Sequence, residues 1–231
     1  MPYIKNEKGD TMSAEELIIF IARVSNPSNQ MNTQTSDKLV SYLIKNKHWS
    51  PFDMVDITFE VKTSRAIAAQ ILRHRSMVFQ EFSQRYAEVT DMEPIQLRKA
   101  GSSNRQSSTE EIHDNMRISV INPQTGMGFD APVDALIQYH LRYSQDLYKG
   151  LLNAGVAKEC ARMVLPLTTQ TTIYMKGSLR SWLTYLNVRL DEHTQLEHRQ
   201  IAVEIAETLV DEFPMVSKAL NQFNNFKGLF I

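Results

Sequence analysis

Arginine is the residue type that stands out in this chain, and its spacing is what could carry chemistry. Arg73-His74-Arg75 places three basic side chains at the end of an expected helix. Glu81, Ser83 and Arg85 follow at alternate positions of VFQEFSQRYAEV, a segment with the alternation of an extended strand. A strand sends alternate side chains to one face, so these three could address a single cavity. Guanidinium groups make planar, paired hydrogen bonds to phosphate, and several in one place repel one another unless an anion lies between them. Downstream, Glu159 and Arg162 are one helical turn apart, and Arg180 and Arg189 bracket LRSWLTYLNVR. Arg189 falls close to the apolar path of that helix, a costly place for a charge without a polar partner or ligand. The bland readings are a solvated helix end for Arg73 and Arg75, and a surface ion pair for Glu159 and Arg162. The alternating segment behind the first cluster and the placement of Arg189 favour an anion site.

Other residues that could react are weaker candidates. The single cysteine, Cys160, sits among Ala161, Met163 and Val164 and is expected to pack in the core. Ser83 has no base beside it in sequence and reads as a hydrogen-bonding residue. His193 and Glu197 are a turn apart, but no third ligand has a suitable spacing, so no metal is expected. In the same helix His198 stands apart from an apolar stripe expected at Ile201, Ile205 and Leu209, which makes it a solvated or interface residue. Trp49 and Trp182 read as packing anchors.

The elements that must hold these residues are legible in part. Ser13 and Glu16 form a capping box before LIIFIARV, and that helix should end near Pro27. A second helix is expected over Asp37 to Lys47, a turn at His48-Trp49-Ser50-Pro51, and a half-buried strand over Val55 to Val61. Ser64 should cap RAIAAQILRHR. A polar stretch from about 98 to 128 reads as a long loop with a short helix near Thr109 to Met116. Helices are expected over Ala131 to Ala154, ended by Gly155, and around Lys158 to Val164. Leu165 to Lys176 reads as extended. Ser178 should cap a helix through Arg189, and a last long helix should run from about Thr194 to Glu212 and stop at Pro214. There are no internal repeats. The expected class is α+β: a single domain over 1–231 with a modest antiparallel or mixed sheet and surrounding helices.

Bulk properties narrow the function classes. The 231 residues are enough to bury a core, and the formal net charge of -1 excludes a general electrostatic footprint for nucleic acid. One cysteine allows no internal disulfide, the N-terminal stretch has no apolar signal core, and no apolar run approaches a membrane span. The expected location is the cytoplasm, or a host's cytoplasm for a viral protein, with no membrane or nucleic-acid partner.

The pattern resembles the flavin-dependent thymidylate synthases, the ThyX family. The resemblance rests on Arg73-His74-Arg75 with Ser83, and on Ala22 to Ser25, His48 to Phe52, Gln70, Glu81 to Tyr86, Glu159 to Pro166 and Leu179 to Arg189, all in order and spacing. It implies reductive methylation of dUMP to dTMP, with FAD as cofactor, methylenetetrahydrofolate as carbon donor and NADPH as reductant. It also implies a homotetramer with active sites at subunit interfaces. Carried onto this chain, Gln70, Ile71, Leu72, Arg73, Glu81, Phe82, Ser83, Gln84, Arg85, Arg162 and Arg189 resemble the dUMP contacts, with Arg162 from another subunit. Ser50, Arg73, His74, Arg75, Glu81, Ser178, Leu179 and Arg180 resemble the flavin contacts, with Ser25 near flavin phosphate, and His48 lies in the vicinity of folate. Arg189 resembles the residue that activates the base. Ser178 and Thr184 depart from the family's usual asparagine, and asparagine or histidine, at those places. Two rivals remain: a flavoprotein reductase or oxidase without the methylation, and a non-catalytic nucleotide- or RNA-binding protein.

Overall fold

The structure, a computed structural model, describes residues 5, 9–89, 91–102, 108–112, 116–122 and 124–222. Among these, the helices are α1 (Ala14–Ala22), α2 (Ser36–Lys45), α3 (Arg65–Ile71), α4 (Val133–Asn153), α5 (Lys158–Ala161), α6 (Leu179–Arg189), α7 (Leu196–Glu212) and α8 (Pro214–Gln222). The strands are β1 (Asp56–Ser64), β2 (Val78–Glu81), β3 (Arg98–Ala100), β4 (Ser108–Glu111), β5 (Arg117–Ile121), β6 (Gly128–Pro132) and β7 (Gln170–Ser178). The class is α+β. One sheet has the order β1-β7-β2, and two further ribbons pair β3 with β4 and β5 with β6. Contacts divide the chain into two compact units. The first comprises Met1–Val61, His74–Phe79 and Tyr174–Ile231, and the second Lys62–Arg73 and Gln80–Ile173.

In the first unit the caps and apolar faces do what their residue types dictate. The Ser13 hydroxyl accepts from the Glu16 amide at 3.2 Å, and the Glu16 carboxylate accepts from the Ser13 amide at 2.7 Å, starting α1. Ile18 and Ile19 of α1 and Val40, Leu43 and Ile44 of α2 are buried. Glu15, buried on α1, accepts from the Val216 amide at 2.9 Å and so caps α8, which starts at Pro214 directly after α7 ends. Trp182 is fully buried on α6. Its indole N–H donates to the Ile57 carbonyl at 3.1 Å, and the rings of Phe59 and Tyr185 meet it edge-on at 4.9 and 5.7 Å. Trp182 is thus the anchor expected of it.

The buried face of α7 is His198, Ala202, Ile205, Ala206 and Leu209, while Ile201 is only half-buried. This corrects the expectation that His198 is solvated. Small alanines carry the true stripe, and reading it from the bulkier Ile201 rotates the helix by about one position. In β7, Gly177 needs its missing side chain for space. A Cβ there would overlap the Met77 sulfur and lie 3.2 Å from the Met77 methyl, while its backbone is outside the left-handed region.

In the second unit the polar stretch carries more order than a loop. Strands β3 and β4 pair antiparallel, with Arg98 opposite Glu111 and Ala100 opposite Ser108. Strands β5 and β6 pair from Arg117 opposite Pro132 to Ile121 opposite Gly128. Strand β4 takes the place of the first half of the expected helix at Thr109 to Met116; residues 113–115 lie outside the described residues. All four residues of β4 are exposed, so no apolar face holds a helix there, and the ladder to β3 with the Lys99–Glu110 ion pair at 2.8 Å decides the conformation. The expected helix over Lys158 to Val164 is split into α5 and a 3-10 turn, Arg162–Val164. Cys160 on α5 is exposed, against its expected core role; of that stretch only Ala161 is buried.

Candidate active site

Four residues of the first unit form a polar cluster. Arg189, in the last turn of α6 and half-buried, donates from Nε to His74 Nε2 at 2.9 Å. That bond requires a neutral His74 carrying its proton on Nδ1. Burial, and then the Arg189 charge, hold the His74 pKa below its ordinary value, which agrees with that state. The Tyr185 ring lies edge-on to His74 at 4.9 Å. The Tyr185 hydroxyl meets His198 Nε2 at 3.1 Å, and both side chains are buried. Burial raises the Tyr185 pKa. Burial, then Arg189 and His74, push His198 down to about 4. The guanidinium of Arg189 has five N–H groups, and Nε uses one. Its two terminal nitrogens make no bond among the described residues, so the end of the fork stays available to a planar ligand edge.

This cluster has a consequence for stability. In the unfolded chain His198 titrates near 6.5, and in the fold only near 4. Between those values the unfolded chain holds more protons, so stability falls as pH falls through that window, by at most about 1.4 kcal/mol per pH unit for one group. His74 is shifted in the same direction and adds to the loss. Urea midpoints should therefore drop between pH 7 and pH 5; a flat midpoint over that range would show that these imidazoles are not held neutral.

The N-terminus of α6 lies in the same unit. Ser178 caps the helix by accepting from the Ser181 amide at 3.2 Å, as expected, and donates to Asp53 at 3.0 Å. The other Asp53 oxygen holds Arg180 Nη1 at 3.0 Å. Leu179 is buried and its amide bonds the Val55 carbonyl at 2.8 Å, so its side chain faces the interior. Thr184 turns its hydroxyl back to the Arg180 carbonyl at 3.0 Å. Ser50 opens a 3-10 turn, Ser50–Met54, and is exposed, as is His48, whose ring meets Tyr42 edge-on at 5.7 Å. Lys47, just before, has φ 59, an uncommon conformation for a residue with a Cβ. Ser25 is exposed.

The second unit holds most of the other expected contacts. Gln70 is half-buried, Ile71 fully buried and Leu72 partly exposed, so Ile71 can offer a ligand only its backbone. Arg73-His74-Arg75 is the connection that leaves α3, not the end of the helix. The side chains of Arg73 and Arg75 are exposed and make no hydrogen bond or ion pair among the described residues, while the Arg73 amide donates to the Gln70 carbonyl at 3.3 Å. The extended reading of VFQEFSQRYAEV holds only to Glu81, where β2 ends; Ser83 to Ala87 form a turn in which the Tyr86 and Ala87 amides bond the Ser83 carbonyl at 3.0 and 3.1 Å. Glu81, Ser83 and Arg85 therefore do not share one strand face. The turn instead exposes Ser83 and Arg85 and buries Gln84. Arg85 has no partner among the described residues, and Gln84 Nε2 is buried without one.

Glu81 is held by a residue that pattern reading misses. Arg65 Nη1 pairs with Glu81 Oε1 at 2.8 Å, and Nη2 donates to the Phe82 carbonyl at 3.0 Å. The Thr171 hydroxyl donates to the same Glu81 oxygen at 3.1 Å. One carboxylate oxygen is thus committed to structure and the other remains. Arg162 is half-buried and donates from Nε to the Glu159 carbonyl at 3.4 Å, not to its carboxylate. Tyr185, Asp53 and Arg65 escaped sequence reading, and His198 was read as a solvated or interface residue; the only available signal for Arg65 was a cation on the first turn of a short helix, where the dipole disfavours it.

Comparison with known proteins identifies the family. The sequence model of the Thy1 family, described as thymidylate synthase complementing protein, matches residues 9–215. A relative from Paramecium bursaria Chlorella virus 1, named "Probable flavin-dependent thymidylate synthase", is 44% identical over 210 residues, covering 90% of this chain and 91% of its own. The flavin-dependent thymidylate synthase of Synechocystis sp. is 43% identical over 212 residues, 92% of each chain. Among solved structures, the UMP/dUMP methylase PolB from Streptomyces cacaoi, bound with 5-Br dUMP, superposes with a TM-score of 0.72 over 91% of each chain at 24% identity, a likeness of fold. The chain therefore belongs to the Thy1 family, alongside the flavin-dependent thymidylate synthases.

Proposed function

We propose that this chain makes dTMP from dUMP as an FAD-dependent methyltransferase, with methylenetetrahydrofolate as carbon donor and NADPH as reductant. The observation that carries the reading is Arg189, fixed at Nε by His74 while the end of its guanidinium stays open. Methylation at carbon five of uracil needs electron density there. A guanidinium held against the pyrimidine edge favours the N3-ionised base, and partial burial strengthens that effect. Arg73, Arg85 and Arg162 supply further guanidinium groups for the nucleotide. Arg85 is exposed and unpaired among the described residues, and suits a phosphate. Gln70, Ser83, Gln84 and the open oxygen of Glu81 offer polar contacts for base and sugar, with the backbone of Ile71 and with Leu72 and Phe82 beside them.

The residues fit a flavin dinucleotide by the chemistry of their donors. Arg75 is unpaired among the described residues, and Arg180 keeps further N–H groups beyond the one given to Asp53, so both can meet phosphate. The Leu179 and Ser181 amides are already engaged, so the two cations, more than the helix end, carry that fit. Ser50 and Ser178 complete the polar set, and His48 stands for the folate side. Once bound and reduced by NADPH, the flavin would supply the hydride that completes reduction of the transferred carbon. His74 holds Arg189 and excludes water from its Nε side. Assembly is a homotetramer with Arg162 reaching a neighbour's site, in the cytoplasm of the cell or of a host. No helix among the described residues is long and apolar enough to cross a membrane.

The test is an absorbance spectrum of the purified protein with and without dUMP, followed by dUMP-dependent tritium release and dTMP formation in the parent chain and in Cys160→Ala. Flavin bands perturbed by dUMP, with turnover of the variant within about threefold of the parent, are expected, since the exposed thiol is not the nucleophile. A flavin spectrum without tritium release would identify a reductase, a colourless protein a binding module, and a folded, flavin-loaded but dead Cys160→Ala a thiolate mechanism.

A further inference from the structure

The Tyr185–His198 pair has no part in the reaction just described, yet it is buried against the residue that holds Arg189. We infer that His198 and Tyr185 are positioning residues for the Arg189 guanidinium, acting through His74; the inference rests on the role proposed for Arg189. The connection is continuous within one unit. His198 Nε2 meets the Tyr185 hydroxyl at 3.1 Å, the Tyr185 ring packs edge-on against His74 at 4.9 Å, and His74 Nε2 accepts from Arg189 Nε at 2.9 Å. His198 also faces His74 directly, with ring centroids 6.3 Å apart and planes at 88°.

Two features make this more than packing. Tyr185 and Arg189 are four residues apart on α6, so they lie on one helix face and must share the imidazole of His74 between them. His74, for its part, sits in a connection outside any helix or strand, so its ring orientation is set by side-chain neighbours and not by a backbone ladder. A buried imidazole on α7 that fixes the tyrosine hydroxyl fixes the ring edge presented to His74. That in turn directs the Nε2 lone pair which Arg189 needs. A phenyl or aliphatic pair would fill the same volume and lose that directionality. The cluster is thereby a rigid support behind a guanidinium whose ligand-facing end must be placed to a few tenths of an ångström for the charge developing on the base.

The experiment compares His198→Leu, His198→Gln and Tyr185→Phe, each as the full flavin-loaded chain, with Arg189→Ala as reference. Melting temperature, dUMP affinity by titration and kcat for dTMP formation are measured on each. His198→Leu and Tyr185→Phe are expected to lower kcat about tenfold while dUMP affinity changes less than about threefold, because the loss falls on the transition state. His198→Gln keeps a hydrogen-bonding group for the Tyr185 hydroxyl and should recover most of the kcat even where its melting temperature is no higher than that of the leucine variant. Tyr185→Phe, which deletes one hydroxyl from an intact ring, serves where His198→Leu does not fold. Unchanged kcat in folded Tyr185→Phe and His198→Leu chains overturns the inference, and so does a kcat that follows melting temperature with glutamine no better than leucine. An Arg189→Ala chain that still makes dTMP overturns the reading of Arg189 and this inference with it, whereas a dead Arg189→Ala beside a fully active Tyr185→Phe overturns the inference alone.

Discussion

Arg189→Ala should stop dTMP formation, lowering kcat by about a thousandfold or more, in a chain that stays folded and yellow. The side chain is half-buried, and its loss leaves His74 Nε2 without a donor, at a cost of about 1 kcal/mol, small against the stability of a fold of this size. The flavin contacts proposed at Arg75, Ser178 and Arg180 do not involve it. Lysine at 189 should not rescue. A point charge on a flexible stem cannot donate to His74 and also present two parallel N–H groups to the pyrimidine edge. Single-turnover dTMP formation, the flavin spectrum and dUMP titration check this together. Loss of flavin with unchanged dUMP affinity would move Arg189 from the substrate to the cofactor.

The second large effect is expected at Arg65. Its side chain is 21% exposed and that of its partner Glu81 24%, so Arg65→Met strands a largely desolvated carboxylate. Removing one member of a fully buried pair costs about 3–5 kcal/mol; with this residual exposure about 2–3 kcal/mol is expected, read as a lowered urea midpoint. The bond to the Phe82 carbonyl goes with it, which frees the chain between β2 and the turn at Ser83. The affinity for dUMP should therefore fall in the same variant. Replacing both Arg65 and Glu81 with methionine should regain most of the stability and none of the affinity, which separates the structural cost from the loss of the site. An Arg65→Met chain with an unchanged midpoint would mean that water, not Arg65, balances Glu81.

What sequence reading could and could not reach follows from the range of the forces involved. Local signals held: the Ser13–Glu16 capping box, the Ser178 cap and the alternation in β1 are all decided within a few residues. The candidate arginines were legible as types at spacings, and Arg189 as a charge in an apolar path. The errors arise where a distant partner decides. Strand β4 is extended because β3 pairs with it, and Ser83 leaves the strand because a turn closes on its carbonyl. His198 is internal because a tyrosine on another helix receives it. Cys160 looked apolar in company, yet a helix of four residues buries only Ala161. Arg65 and Asp53 carry no motif of their own. Their meaning lies in distant partners, such as Glu81 for Arg65, 16 positions away, and Arg180 for Asp53, 127 positions away.

The bare α-carbon of residue 177 admits the Met77 thioether onto the strand surface, three positions after His74 in sequence. The position of Met77 thus depends on clearance between its sulfur and the backbone at 177. Even a methyl at 177 would lift the methionine, and the disturbance would reach the imidazole along a stretch of chain without regular secondary structure. Directed variation of the polar residues can proceed with this spot untouched, whereas a library that varies position 177 should lose turnover through misalignment long before it exhausts any chemical role.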